Sequence, residues 1–193
     1  MTNKKSYIFL IGSIYYLIAE AVSAFYFHDV LMNTYTVHTI SELGFPGVSP
    51  LSFLMNSAFV IIGLTLLLGV YFKFKDYIVK NKSIFYILTV VTALGVIIVG
   101  LIHGGNPLTS GYHTFGAVMA ILGGNILLVL ISKSMADFAG YQKLTLSLGI
   151  IGLLAFWIMF FNMDSIYMPI LERLSVYTLI VWSFMTGVFL LNQ

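Results

Sequence analysis

"LSFLMNSAFVIIGLTLLLGVYF", Leu51–Phe72, contains no Asp, Glu, Lys or Arg. A run of this length matches the roughly 20 helical residues that cross a hydrocarbon core. Its apolar residues do not alternate with period two, as a barrel strand requires. In lipid each backbone polar group must be satisfied within the segment, which selects a helix. Five further stretches read the same way: Ser6–Phe27, Ile84–His103, His113–Ser132, Leu144–Met163 and Leu174–Leu191. The sequence therefore predicts an all-α integral membrane bundle of six transmembrane helices, organised as a single domain over residues 1–193. Composition agrees, with 60% hydrophobic and only 8% charged residues, against about 25% charged in a soluble domain.

The basic residues fix an expected orientation. Lys4 and Lys5 precede the first span, Lys73, Lys75, Lys80 and Lys82 lie between the second and third, and Lys133 and Lys143 between the fourth and fifth. All of these fall on one side, and Arg173 alone falls on the other. The positive-inside rule then places both termini in the cytoplasm of a multi-pass cell-membrane protein. Lys4 and Lys5, with "VSA" ending at Ala24, also resemble a secretory signal. The apolar run is too long for a signal core and contains Glu20, so it reads as a span.

Several functions are excluded or unsupported. There is no cysteine, which removes disulfides, thiolate metal sites and cysteine nucleophiles. No phosphate-binding Gly-rich loop, dinucleotide fingerprint, His-Glu-x-x-His or Gly-x-Ser-x-Gly elbow occurs. The few basic residues give no nucleic-acid surface.

The remaining polar residues gather at the expected outer side, where His28, His38, His103, His113, Asp29, Glu42, Asp164 and Glu172 all fall. In "VHTISELGFPGVSP", Val37–Pro50, His38, Ser41 and Glu42 share one side of a helical turn, and His-x-x-x-Glu is able to hold a metal. The alternative is a short turn capped by Ser41 or Thr39 and ended by Gly44. "HGGNPLTSGYH", His103–His113, is a Gly-rich turn that brings two imidazoles together, able to bind a ligand or act as acid or base. In "PILERLSVYTLIVW", Pro169–Trp182, Pro169 suits a helix start and Glu172 lies early in the helix. Arg173 is suited either to an anionic headgroup or carboxylate ligand, or to an interhelical salt bridge. Asn56 is placed to reach a pocket under the outer loops, and Asn125 lies deeper, where amides bond between helices. Ser13, Tyr16, Glu20 and Ser23 share one face of the first span, which should turn inward. Gly116, Ala120 and Gly124 form a small-residue stripe suited to close helix packing.

Four segments, "ISELG" (Ile40–Gly44), "SPLSFLMNSAFVIIGL" (Ser49–Leu64), "HTFGAVMAILGGN" (His113–Asn125) and "LERLSVYTLIVW" (Leu171–Trp182) followed by Gly187, resemble the family called domain of unknown function 998. The resemblance implies a bacterial or archaeal six-span integral membrane protein and brings no activity. It carries over Ser41, Glu42, Gly44, Asn56, His113, Glu172 and Arg173 as motif positions, whereas His103 rests on its spacing. Three functional readings stand. The first is an outer polar pocket binding a lipid headgroup or small molecule through Ser41, Glu42, Asn56, His103, His113, Glu172 and Arg173, with no metal. The second is a zinc-dependent lipid hydrolase, similar in residue types to ceramidase-like hydrolases, with His103, His113 and His38 on zinc and Glu42 or Glu172 activating water. The third is a small transporter with Glu20 as a proton site. Membrane lipid is the expected partner; the sequence names no cofactor and sets no oligomeric state.

A reporter fused after Gln193 is expected to be active only in its cytoplasmic form. Activity of an externally functional reporter at that position would refute the orientation.

Overall fold

The computed structural model describes residues 7–27 and 30–193. Lys4, Lys5, His28 and Asp29, invoked above, lie outside the described residues. The described chain is helical: α1 (Tyr7–Phe25), α2 (Leu31–Thr36), α3 (Ile40–Leu43), α4 (Ser52–Phe72), α5 (Lys82–Leu101), α6 (Ser110–Ser134), α7 (Ala139–Phe161) and α8 (Met168–Leu191), with a 3₁₀ turn at Phe74–Tyr77. Six of these, α1 and α4 to α8, are long and apolar enough to cross a membrane.

The helix ends depart from the apolar runs in one consistent way. α6 begins at Ser110, α7 at Ala139 and α8 at Met168, each several residues before its apolar run. The first turns of α6 and α7 are polar or small, and α8 opens with Pro169 ahead of the charged Glu172–Arg173 pair, so these turns are good helix but interrupt the hydropathy. His113 is consequently inside α6, and His103 lies past the end of α5, in the turn. That turn is held by Asn106, whose carbonyl and side-chain oxygens accept from the N–H groups of Thr109 and Leu108, both at 3.0 Å.

Consecutive spans pack antiparallel against one another, α1 closes the ring against α8, and α6 touches α8 across it. One end of the bundle carries α2, α3 and the three described histidines, and is called the histidine face. The opposite end carries the described lysines and is called the lysine face. Apolar side chains such as Ile11, Leu68, Leu94 and Ile150 point outward, as expected for a surface solvated by acyl chains. The polar stripe of α1 turns inward: Ser13, Tyr16, Glu20 and Ser23 are all buried.

Close approach of helices depends on the small residues. A Cβ on Gly95 of α5 would stand 2.5 Å from the Ala120 nitrogen and 2.7 Å from the Gly116 oxygen. The Gly116–Ala120 stripe of α6 is thus one half of a seam whose other half is Gly95. Gly124 sits farther along, between Thr92 and Leu179.

The lysine face is closed by side chains. Phe74, from the 3₁₀ turn, lies 5.5 Å from Trp182 of α8 and 6.2 Å from Phe9 of α1, both edge-on. The Val79 and Lys80 N–H groups both donate to the Ser134 carbonyl, tying the α4–α5 and α6–α7 connections together. Open space lies at the histidine face.

Gly95→Val is expected to destabilise the bundle by about 1–3 kcal/mol through overpacking, read as a lower thermal midpoint in detergent. Gly111→Val, where a Cβ meets nothing within 4 Å, should leave the midpoint near that of the wild type.

Candidate functional site

The segment between α1 and α4 is a folded strap across the histidine face. Thr39 starts α3 with a capping box: its hydroxyl accepts from the Glu42 N–H at 3.1 Å, and Glu42 accepts from the Thr39 N–H at 2.9 Å. The same Glu42 oxygen is 3.1 Å from His38 Nδ1. His38 and Glu42 therefore meet as the spacing predicts, in the service of a cap. Gly44 ends the turn, and a Cβ there would collide with the Asn56 amide oxygen. The Asn56 amide donates to the Gly44 carbonyl at 2.9 Å and stands 3.2 Å from His103 Nδ1. Asn56 and His103 thus form a pair that pins the far end of the strap to α4.

Arg173 points into the bundle. Its Nε donates to Glu20 at 3.2 Å, one terminal nitrogen to the His38 carbonyl at 2.7 Å and to the Pro169 carbonyl at 3.3 Å, and the other to the Thr34 carbonyl at 3.2 Å. The guanidinium also lies 5.1 Å from the Tyr35 ring centroid. Burial, reinforced by the Glu20 carboxylate, holds the Tyr35 phenol above its ordinary pKa, so the ring faces the cation as a neutral one. Of the two roles open to Arg173, the interhelical salt bridge is the observed one. Its carboxylate partner is Glu20, the residue considered above as a proton site.

Glu172, one residue earlier, turns the other way and reaches the strap. One carboxylate oxygen accepts the Ile40 N–H at 2.6 Å, and the other accepts the Ser41 hydroxyl at 3.2 Å. The Ser41 Oγ is also 3.2 Å from His113 Nε2, and His113 Nδ1 lies 2.6 Å from the Ile102 carbonyl. Strap, α6 and α8 thereby converge on one hydroxyl.

Two spaces meet at that hydroxyl. A cavity of about 50 Å³ lies in the bundle centre, with Tyr16, Ser41, Asn125, Glu172 and Ser175 among otherwise mainly apolar side chains of α4 to α6 and α8. A cleft of about 300 Å³ lies between α6, α7 and α8. At its strap end stand Thr39, Ser41, Ser110, His113, Thr114 and Glu172. Phe45, Met159, Phe160, Met163 and Met168 stand among them at the same end, and farther in the walls are Val118, Ile121 and Phe156. Thr114 and Phe160 are exposed, and no Lys or Arg lines the cleft. Asn56 and His103 border a separate open groove of about 490 Å³ between α4 and α5.

Of the sequence-predicted site residues, the structure thus gathers Ser41, His113 and Glu172. Glu42 caps α3, Arg173 clamps the strap, and Asn56 and His103 sit on another side. Among the described residues no group of three or more His, Asp or Glu side chains could hold a metal ion. Sequence reasoning missed the α7 wall of the cleft. Its signal is the dense "FWIMFFNM" run, Phe156–Met163, which reads as an interfacial belt unless its neighbours are known.

Comparison with known proteins gives one match. A family model described as a protein of unknown function (DUF998) matches residues 12–188. No curated protein and no solved structure matches the chain.

Removing the guanidinium leaves Glu20 buried without its cation, a loss of about 3–5 kcal/mol for such pairs. Arg173→Ala should therefore lower the thermal midpoint and accelerate amide hydrogen exchange across residues 31–43. Unchanged exchange there would show that the strap does not depend on the clamp.

Proposed function

The chain belongs to the DUF998 family, for which no activity is described, and from its own geometry we propose that it binds a lipid or similar amphipathic molecule. In this reading it is a single six-helix domain of the cell membrane, with both termini cytoplasmic and the histidine face outward. The supporting observation is the amphipathic lining of the cleft: at the strap end hydroxyls, an imidazole and a carboxylate are set among Phe45, Met163 and Met168, and the inner stretch between α6 and α7 is lined by apolar side chains alone. From His113 to Ile121 the helix advances about 12 Å at 1.5 Å per residue, enough to shelter part of one acyl chain. Such sites bury most of the ligand against apolar walls and orient it with a few polar groups.

The chemistry of the polar end narrows the headgroup. Arg173 is committed to Glu20 and to backbone carbonyls, and Glu172 brings a carboxyl group to the cleft. Hydroxyl-rich, uncharged headgroups suit these donors and acceptors better than phosphates. The zinc and transport readings lack comparable support. His38, His103 and His113 turn to three different partners, and Glu20 is paired.

Filling the cleft tests this reading. Ala117→Phe projects a ring into the channel and is expected to weaken binding of a long-chain monoacylglycerol at least tenfold by native mass spectrometry, with the thermal midpoint preserved. Phosphatidylglycerol should bind the wild type more weakly than the monoacylglycerol. Equal binding of monoacylglycerol by wild type and variant would remove the cleft as the site.

A further inference from the structure

The hydrogen-bond inventory around Ser41 is unusual. A carbonyl oxygen only accepts, so the 2.6 Å contact to Ile102 requires His113 Nδ1 to carry a proton. A neutral His113 then presents the lone pair of Nε2 to the Ser41 hydroxyl, 3.2 Å away. That hydroxyl has one proton and faces two acceptors, Nε2 and the Glu172 carboxylate, at equal distance. Ser41 also borders both the cleft and the central cavity. A hydroxyl, a base within reach and a third group fixing the tautomer of that base are the parts of an activated nucleophile. Here the third part is a backbone carbonyl.

We propose that Ser41 and His113 form a serine acyl-transfer centre acting on the ester of an uncharged lipid whose chain occupies the cleft. This rests on the lipid-binding reading of the same cleft and adds a reaction to it. Ser41 Oγ attacks the ester carbonyl carbon while its proton passes to His113 Nε2. The tetrahedral intermediate collapses, the bond to the alcohol oxygen breaks, and the imidazolium protonates the departing alcohol, leaving the acyl group on Ser41. A water then attacks the acyl carbon and gives its proton to His113, which returns it to Ser41 Oγ as the acyl bond breaks. Ester and water become alcohol and fatty acid, and no other reactant is needed. Glu172 holds α3 in place through the Ile40 N–H.

The test uses the full chain in detergent with a long-chain fluorophosphonate, which phosphonylates activated serines with loss of fluoride. Peptide mass spectrometry is expected to find the adduct on Ser41, with labelling abolished in Ser41→Ala and reduced at least tenfold in His113→Ala. His113→Gln can still donate to the Ile102 carbonyl but cannot take a proton, so it should keep the wild-type thermal midpoint and lose labelling. Release of fatty acid from monoacylglycerol micelles should follow the same order. Labelling of Ser41 that is unchanged in both His113 variants, or fatty acid release that survives Ser41→Ala, would overturn the proposal. Monoacylglycerol binding is measured in parallel. Binding without an adduct rejects acyl transfer and leaves the cleft reading standing, whereas absence of both rejects the two together.

Discussion

A guanidinium inside a membrane bundle needs a countercharge and acceptors for its N–H groups, and Arg173 finds four acceptors on three separate elements. Glu20 of α1 supplies the countercharge, Pro169 a carbonyl of α8 itself, and Thr34 and His38 carbonyls of the strap. Leaving any of these unsatisfied in a medium without water is unfavourable by several kcal/mol, so the strap has little freedom to lift. Its position then determines where Ser41 points. Glu172 adds a second tether at the Ile40 N–H, and the two adjacent residues, about 100° apart on the helix, hold the same segment at successive points along the chain.

The two ends of the bundle are closed by different physics. At the lysine face, Phe9, Phe74 and Trp182 interlock edge to face, and such packing leaves little void. At the histidine face, closure depends on polar contacts with fixed lengths and directions. Those contacts cannot collapse to fill space as methyl groups do, and both the cavity and the cleft survive beneath them. The space at the histidine face is therefore a by-product of closing that end with hydrogen bonds.

Much of this arrangement was legible from the residues. Unbroken apolar runs gave all six spans because lipid permits no unsatisfied backbone. The inward face of α1 followed from the spacing of Ser13, Tyr16, Glu20 and Ser23, and the Thr39–Gly44 turn from its capping residues. What stayed hidden was partnership. Nothing in the spacing of His38, Ser41 and Glu42 says which side of a four-residue helix faces the bundle, so Glu42 and Ser41 looked equally suited to the site. In the structure the first closes its own turn and the second meets α6 and α8. Arg173 likewise offered two roles, and only the position of Glu20 on a distant helix decides between them. Polar first turns blurred the helix starts, which moved His113 from a helix end into a helix.

Asn125 has a bearing on the space above it. Its amide donates to the Ile121 and Ser175 carbonyls, its oxygen accepts from Thr178, and it presses on Gly152 so closely that a Cβ there would overlap it. One side chain thus rivets α6, α7 and α8 together a single turn beyond Ile121, where the cleft ends. A boundary built from hydrogen bonds does not recede under pressure as an apolar one does. The inner end of the cleft is therefore backed by a three-helix junction whose spacing this one side chain fixes.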